Sequence, residues 1–187
     1  MSAQPSRRPW SAVARRIRVP LGFAFAIVYV WLAHPTQLSI MVGGLVLIPG
    51  LSLRAVAAGH VQKNRELTTS GPYAHTRNPL YLGSLILAAG FAITARNWWI
   101  AGIMVGMFFA IYLPVIIAEE RFLRQNFAEY DEYARHVPRL WVRLRPFGNQ
   151  PGRFSADLYR QHREYNALLG SLLMLGILVV KLLKPVW

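Results

Sequence analysis

Residues 67–83 read LTTSGPYAHTRNPLYLG, a polar, aromatic and helix-breaking stretch between two strongly apolar ones. Gly71-Pro72 and Asn78-Pro79 are turn signals. Asn78 is expected to cap the apolar helix that follows. Pro79 suits its first turn, because proline lacks only an N–H that would go unpaired there. The stretch therefore reads as a loop delivering Arg77, Asn78 and Tyr81 to a helix N-terminus. Unpaired N–H groups and the positive end of the dipole favour an anion there, such as a carboxylate. The plainer alternative is a capped membrane helix with interfacial tyrosines and an arginine facing lipid phosphates.

The apolar flanks set the class. The chain has 187 residues, is 54% hydrophobic and carries a formal net charge of +13. A basic chain can bind nucleic acid, but here the apolar residues come in long blocks, which points to a membrane and away from nucleic acid. The expected fold is all-α and polytopic, a single integral membrane domain with spans at about 19–33, 38–58, 80–94, 98–118 and 167–183. Residues 1–18 read as a basic segment lying on anionic headgroups. The first apolar run continues through Trp31 to His34-Pro35 and lacks a small-x-small cleavage site, so it reads as an uncleaved span. Pro49-Gly50 predicts a kink in the second span, and Arg54 in its last turns either snorkels to the headgroups or faces the interior. Spans three and four form a hairpin turned at Arg96-Asn97, with Gly83, Gly90, Gly102 and Gly106 among its small packing residues.

Two polar segments, 59–79 and 119–166, separate the spans. They carry three and nine Lys or Arg residues, the N-terminal segment carries five, and the opposite side has only Arg96, Lys181 and Lys184. By the positive-inside rule the N-terminus and both segments are cytoplasmic. Arginine outnumbers lysine heavily, which points to a bacterial inner membrane. There is no cysteine and no His-x-x-x-His pair, so no metal site is expected. The second segment reads as a helix from Glu119 to Tyr133, with Phe122, Leu123, Phe127, Tyr130 and Tyr133 on one face, then a loop broken by prolines, then a helix from Phe154 into the last span.

Glu119-Glu120 ends the fourth span, where carboxylates oppose the helix dipole at a cost of roughly 0.3–1 kcal/mol each. Residues so placed need a cation or a donor. Arg124, at i,i+4 from Glu120, is one candidate and Arg77 another. The two glutamates stand about 100° apart around a helix and are not expected to do the same work.

The loop GPYAHTRNPLYLG, followed after one helical hairpin by EERFLRQNFAEYDEYARHVPR, resembles the integral membrane methyltransferases that include isoprenylcysteine carboxyl methyltransferase and the phospholipid N-methyltransferases. The resemblance covers about His60 to Arg139. It implies a cofactor-binding core at about 60–139 and S-adenosylmethionine bound at the cytosolic face. Carried over by position, the cofactor contacts are Gln62, Leu67, Thr68, Tyr73, Asn78, Pro79, Leu80, Tyr81 and one of Glu119 and Glu120. Arg77 at the helix N-terminus suits the cofactor's carboxylate. The family often has His where this chain has Arg65, and Ala128 stands where Gly is usual.

A carboxylate acceptor is already ionised, whereas an amine must lose a proton. The isoprenylcysteine enzymes hold their substrate with an arginine just ahead of the glutamate pair, where this chain has Leu113-Pro114-Val115-Ile116-Ile117. Arg77 and His162 are the candidate catalytic residues. The expected partners are the bilayer and a lipidic methyl acceptor, a headgroup amine or an isoprenylcysteine-like carboxylate, reaching the site sideways between helices. Two alternatives remain: an NADPH-dependent membrane reductase of the sterol reductase type, and a non-catalytic membrane scaffold.

Overall fold

The computed structural model describes residues 10–62, 66–148 and 152–184. Arg65, and Arg7 and Arg8 of the basic N-terminal segment, lie outside them. The described residues form helices and no strand. Helix α1 spans Trp10–Leu32, α2 Gln37–Ala58, α3 Pro79–Ala95 and α4 Trp98–Met107. A π-helical turn, Phe108–Tyr112, joins α4 to α5, Leu113–Asn126, without a break in the rod. Helices α6, Tyr130–His136, and α7, Ala156–Gln161, are short, and α8 is Tyr165–Leu183. Three helices are long and apolar enough to cross a membrane: Gln37–Ala58, the continuous Trp98–Asn126, and Tyr165–Leu183. Val19–Leu32 and Pro79–Ala95 are shorter apolar helices. The all-α membrane architecture expected from the sequence is what the structure has.

Local chemistry accounts for the helix ends. Thr36 and Ser39 exchange side-chain bonds with each other's backbone N–H groups, a capping box that starts α2 after the His34-Pro35 turn. Asn97 caps α4 by accepting from the Trp99 N–H. Lys181, on α8, donates to the terminal carbonyls of Val30 and Trp31 on α1, a cation where the helix dipole favours one.

Four expectations need correction. From Trp10 onward the basic segment is not a separate element. It is the first part of α1, and it packs on the α4–α5 rod: Trp10 donates to the Ala110 carbonyl at 2.8 Å, and buried Ala14 sits against Ile111 and Val115. That carbonyl belongs to the π turn, where a widened ladder offers acceptors outward. Second, the glycine seam joins α2 to α3 rather than α3 to α4. A Cβ on Gly43 would stand 2.5 Å from the Gly90 carbonyl oxygen, and one on Gly50 would stand 3.1 Å from that of Gly83. Gly102 and Gly106 face open space. Third, the helix expected over 119–133 ends at Asn126, with Phe127 extended, φ −131. The break lets Tyr130, Tyr133 and Val137 gather with Leu67, Leu123 and Phe127 in one cluster under the first polar segment, while Phe122 stays exposed. Fourth, the helix expected from Phe154 is two: α7 ends at Gln161, and Arg163 takes φ +53 before α8 begins.

Candidate active site

The quoted stretch folds as a short 3-10 turn, Gly71–Ala74, followed by α3. Gly71 has φ +57, and a Cβ there would press on the His60 ring, so the turn requires glycine. The turn buries Tyr73 and Ala74. Residues 138–147 then line it with backbone bonds. Arg77 N–H donates to the Pro138 carbonyl at 2.9 Å, Arg143 N–H to that of His75 at 3.0 Å, and Phe147 N–H to that of Ala74 at 3.0 Å. Tyr133 donates its hydroxyl to the Tyr73 carbonyl at 2.7 Å. The two polar segments are thus one structure, stitched where the chain leaves its apolar helices.

The acidic pair divides as helical geometry requires. Glu120 is buried, and Arg139 grips both of its oxygens: Nε donates at 3.0 and 3.1 Å and Nη2 at 2.7 Å. Asn78 adds a third donor, Nδ2 to Glu120 Oε1 at 3.0 Å. Asn78 therefore precedes α3 as expected but spends its side chain on the carboxylate and on the Arg139 carbonyl, not on capping. The expected i,i+4 pair does not form, because Arg124 pairs with Asp131 at 2.7 Å. Arg77 Nη1 stands 3.6 Å from Glu120 Oε2 and 3.5 Å from the Tyr130 hydroxyl, and its Nε is buried without a partner. The carboxylate bond holds the Arg139 guanidinium above its ordinary value.

Glu119 points elsewhere. It has no ion pair among the described residues, and its charge reaches Tyr73. Burial pushes the Tyr73 phenol far above its usual value, and Tyr133, Glu119, Tyr81 and Glu164 add to the rise in that order. Tyr73 is therefore a neutral hydroxyl at any physiological pH and no base. Tyr81 packs against the cluster of Ile111 and Val115, and Val115 on α5 stands one turn before Glu119 on the same face. Both Glu119 and Tyr81 are near enough to Tyr73 to raise its phenol, so two parts of the chain bring these three side chains together. A sulfonium-bearing cofactor fits this set: aromatic faces suit its charge, and an unpaired carboxylate suits its hydroxyl or ammonium donors.

The other expected residues fall around this centre. Leu67 packs in the tyrosine cluster, Thr68 accepts from the Gln62 N–H at 3.2 Å, and Pro79 is buried in the first turn of α3. The Leu80 carbonyl accepts from Arg54, which also binds Ser84 and pairs with Glu164. Arg54 thus faces the interior and ties the start of α3 to the start of α8. His162 makes a 3.1 Å contact from Nδ1 to the Ala58 carbonyl, fixing the chain before α8 to the end of α2. Sequence reasoning missed Arg139, Arg54 and Glu164 as site-building residues. Val137-Pro138-Arg139 was a visible signal for the first. The Arg54–Glu164 pair joins residues 110 apart, and no local pattern marks it.

Residues 50–130 match the family model for phospholipid methyltransferases, in agreement with the resemblance drawn from the two motifs. The nickel-cobalt-cadmium resistance protein NccN of Alcaligenes xylosoxydans xylosoxydans is 35% identical over 89 residues, 48% of this chain and 42% of that protein. The cobalt-zinc-cadmium resistance protein CzcN of Cupriavidus metallidurans is 37% identical over 83 residues, 44% of this chain and 38% of that protein. The matched region thus spans about two fifths of the length of these relatives. No solved structure matches.

Proposed function

Starting from the phospholipid methyltransferase match over residues 50–130, we propose that this protein transfers a methyl group from S-adenosylmethionine to a lipidic or membrane-embedded acceptor. The family match supports a membrane methyltransferase. The observation that carries the cofactor is the convergence of Tyr73 and Tyr81 with an unpaired Glu119. Gln62, Leu67, Thr68, Asn78, Pro79 and Leu80 complete the proposed binding set. The cofactor, when bound, supplies a methyl group on a positively charged sulfur, open to in-line displacement by an acceptor lone pair. The protein's part is to align and to exclude water, which supplies roughly 7–11 kcal/mol in well-oriented cases. Tyr73 and Tyr81 face the cation, Glu119 takes hydroxyl or amino donors, and the Glu120–Asn78–Arg139 network holds the loop against α5. Arg77 sits on the Glu120 side of α5 and His162 is held by the Ala58 carbonyl, so we give both a framework role.

An apolar acceptor is supported by a cavity of about 190 Å³ between α1, α3 and α4, lined by Phe25, Leu85, Met104, Phe108 and Tyr112 among others. Tyr112 meets Tyr81 edge-on at 6.2 Å, which links that cavity to the proposed cofactor neighbourhood. We assign both polar segments to the cytosol of a bacterial inner membrane. The metal-resistance names of the two relatives identify no acceptor.

Calorimetric titration with S-adenosylhomocysteine and with NADPH tests the reading. The expected result is binding of the first alone, weakened at least about tenfold by Glu119→Gln, or about 1.4 kcal/mol. Binding of NADPH alone would favour the reductase, and binding of neither the scaffold. Incubation with methyl-labelled cofactor and a total lipid extract then identifies the acceptor by its gain in mass.

A further inference from the structure

On the far side of α5 from Glu119 lies an open cleft of about 630 Å³, walled by α5, α6, the loop before α3 and the segment just after α6. Five arginines line it, Arg77, Arg121, Arg124, Arg135 and Arg139, against two carboxylates, Glu120 and Asp131. Both carboxylates are already engaged, Glu120 with Arg139 and Asp131 with Arg124. Arg121 has no acidic partner among the described residues, and Arg135 donates only to a backbone carbonyl, that of Asp131 at 3.3 Å. Arg77 is largely buried, yet its contacts are long and its Nε has none. A guanidinium carries five N–H donors and cannot shed its charge, so this one is left short of acceptors. Ordinary juxtamembrane arginines are solvated one by one. Here they converge from two helices and two loops on one concavity, and Ile117 at its edge belongs to the apolar part of the α4–α5 rod. The cleft therefore opens at headgroup depth.

We propose that the cleft binds a phosphomonoester, carried either by an anionic lipid headgroup at the membrane surface or by a soluble phosphate. A dianion with three free oxygens can take forked bonds from several guanidinium groups at once, which a single carboxylate cannot. The cleft adjoins the proposed cofactor set through the Asn78–Glu120 bond, but Arg121 and Arg135 lie outside that set, and phosphate binding does not depend on methyl transfer. Occupancy would give the Arg77 guanidinium an acceptor to supplement its long 3.5 and 3.6 Å contacts and brace the network that holds the loop to α5.

The test uses the full chain in phosphatidylcholine nanodiscs containing phosphatidate, with native mass spectrometry as the readout, and glycerol 3-phosphate as the soluble arm. The wild type is expected to retain one phosphomonoester. Arg121→Gln with Arg135→Gln, both at exposed positions, is expected to weaken retention at least about tenfold, with helical circular dichroism and S-adenosylhomocysteine binding unchanged. Retention of phosphatidate alone assigns the site to a lipid headgroup. Arginine-dependent binding of glycerol 3-phosphate assigns it to a soluble ligand. Equal retention of phosphatidylcholine, undiminished retention by the double variant, or binding of neither phosphate overturns the proposal. Failure of S-adenosylhomocysteine to bind the wild type would count against the methyltransferase reading and leave this one standing.

Discussion

At Glu120, Arg139 and Asn78 converge on one buried carboxylate, while its neighbour Glu119 has no ion pair among the described residues. The two substitutions should therefore separate. Glu120→Gln leaves Arg139 and Arg77 facing a neutral amide and should cost about 1.5–3 kcal/mol of stability, the worth of hydrogen bonds to a charged group. Glu119→Gln should change stability by less than about 0.5 kcal/mol and act on cofactor affinity. Thermal unfolding in detergent checks the pair, and equal losses would contradict the division. The buried phenols make a second prediction. Tyr73 and Tyr133 are both raised far above the ordinary 10.0, mainly by burial. The unfolded chain releases those protons near pH 10 while the folded chain keeps them, so stability is full below that pH and falls as pH rises above it. Tyr133→Phe should lose about 0.5–1.5 kcal/mol through its bond to the Tyr73 carbonyl and flatten the alkaline decline. A decline as steep as in the wild type would contradict this account.

The α2–α3 pair is the element most exposed to single-atom changes. Gly43 meets the Gly90 carbonyl and Gly50 that of Gly83, two contacts seven residues apart along an antiparallel seam. Backbones this close have no room for a methyl group, and backbone does not yield as a side chain would. Gly43→Ala should cost about 1–3 kcal/mol. Gly44→Ala, next in sequence with open space around it, should be neutral or slightly stabilising, since alanine is the better helix former. Because α3 begins at Asn78-Pro79, a shift of the seam moves the site as well, so Gly43→Ala should also weaken S-adenosylhomocysteine binding. The π turn at Phe108–Tyr112 is the other element of consequence. It places Tyr112 against Tyr81 and presents the Ala110 carbonyl to Trp10.

Over the whole molecule, both polar segments lie at one end of the apolar helices, joined by the 74–77 and 138–147 backbone bonds. The chain has no cysteine, so single cysteines report sidedness without a background. With cytosolic polar segments, cysteine at Glu66 or Asp157 should react with an impermeant maleimide only from the cytosolic side. Cysteine at Arg96 should react only from the other. Reaction of Glu66 and Arg96 positions from one side would break the topology and with it the shared site.

Much of this was legible in the chain. A chain in a membrane satisfies its backbone as helices or as a closed barrel, and barrel strands alternate apolar with polar over about ten residues, so long unbroken apolar runs give the all-α class and the five apolar helices. Asn78-Pro79 marks the start of α3, and the 100° step of a helix predicts that Glu119 and Glu120 diverge. The tertiary structure decided which partners each residue takes. Glu120 binds Arg139 rather than Arg124, Arg54 binds Glu164, and Gly83 and Gly90 face α2 rather than α4. In each case several partners were chemically equivalent at the level of sequence. Charge and small size say that a residue needs a neighbour; only the packing of distant segments says which one comes within reach.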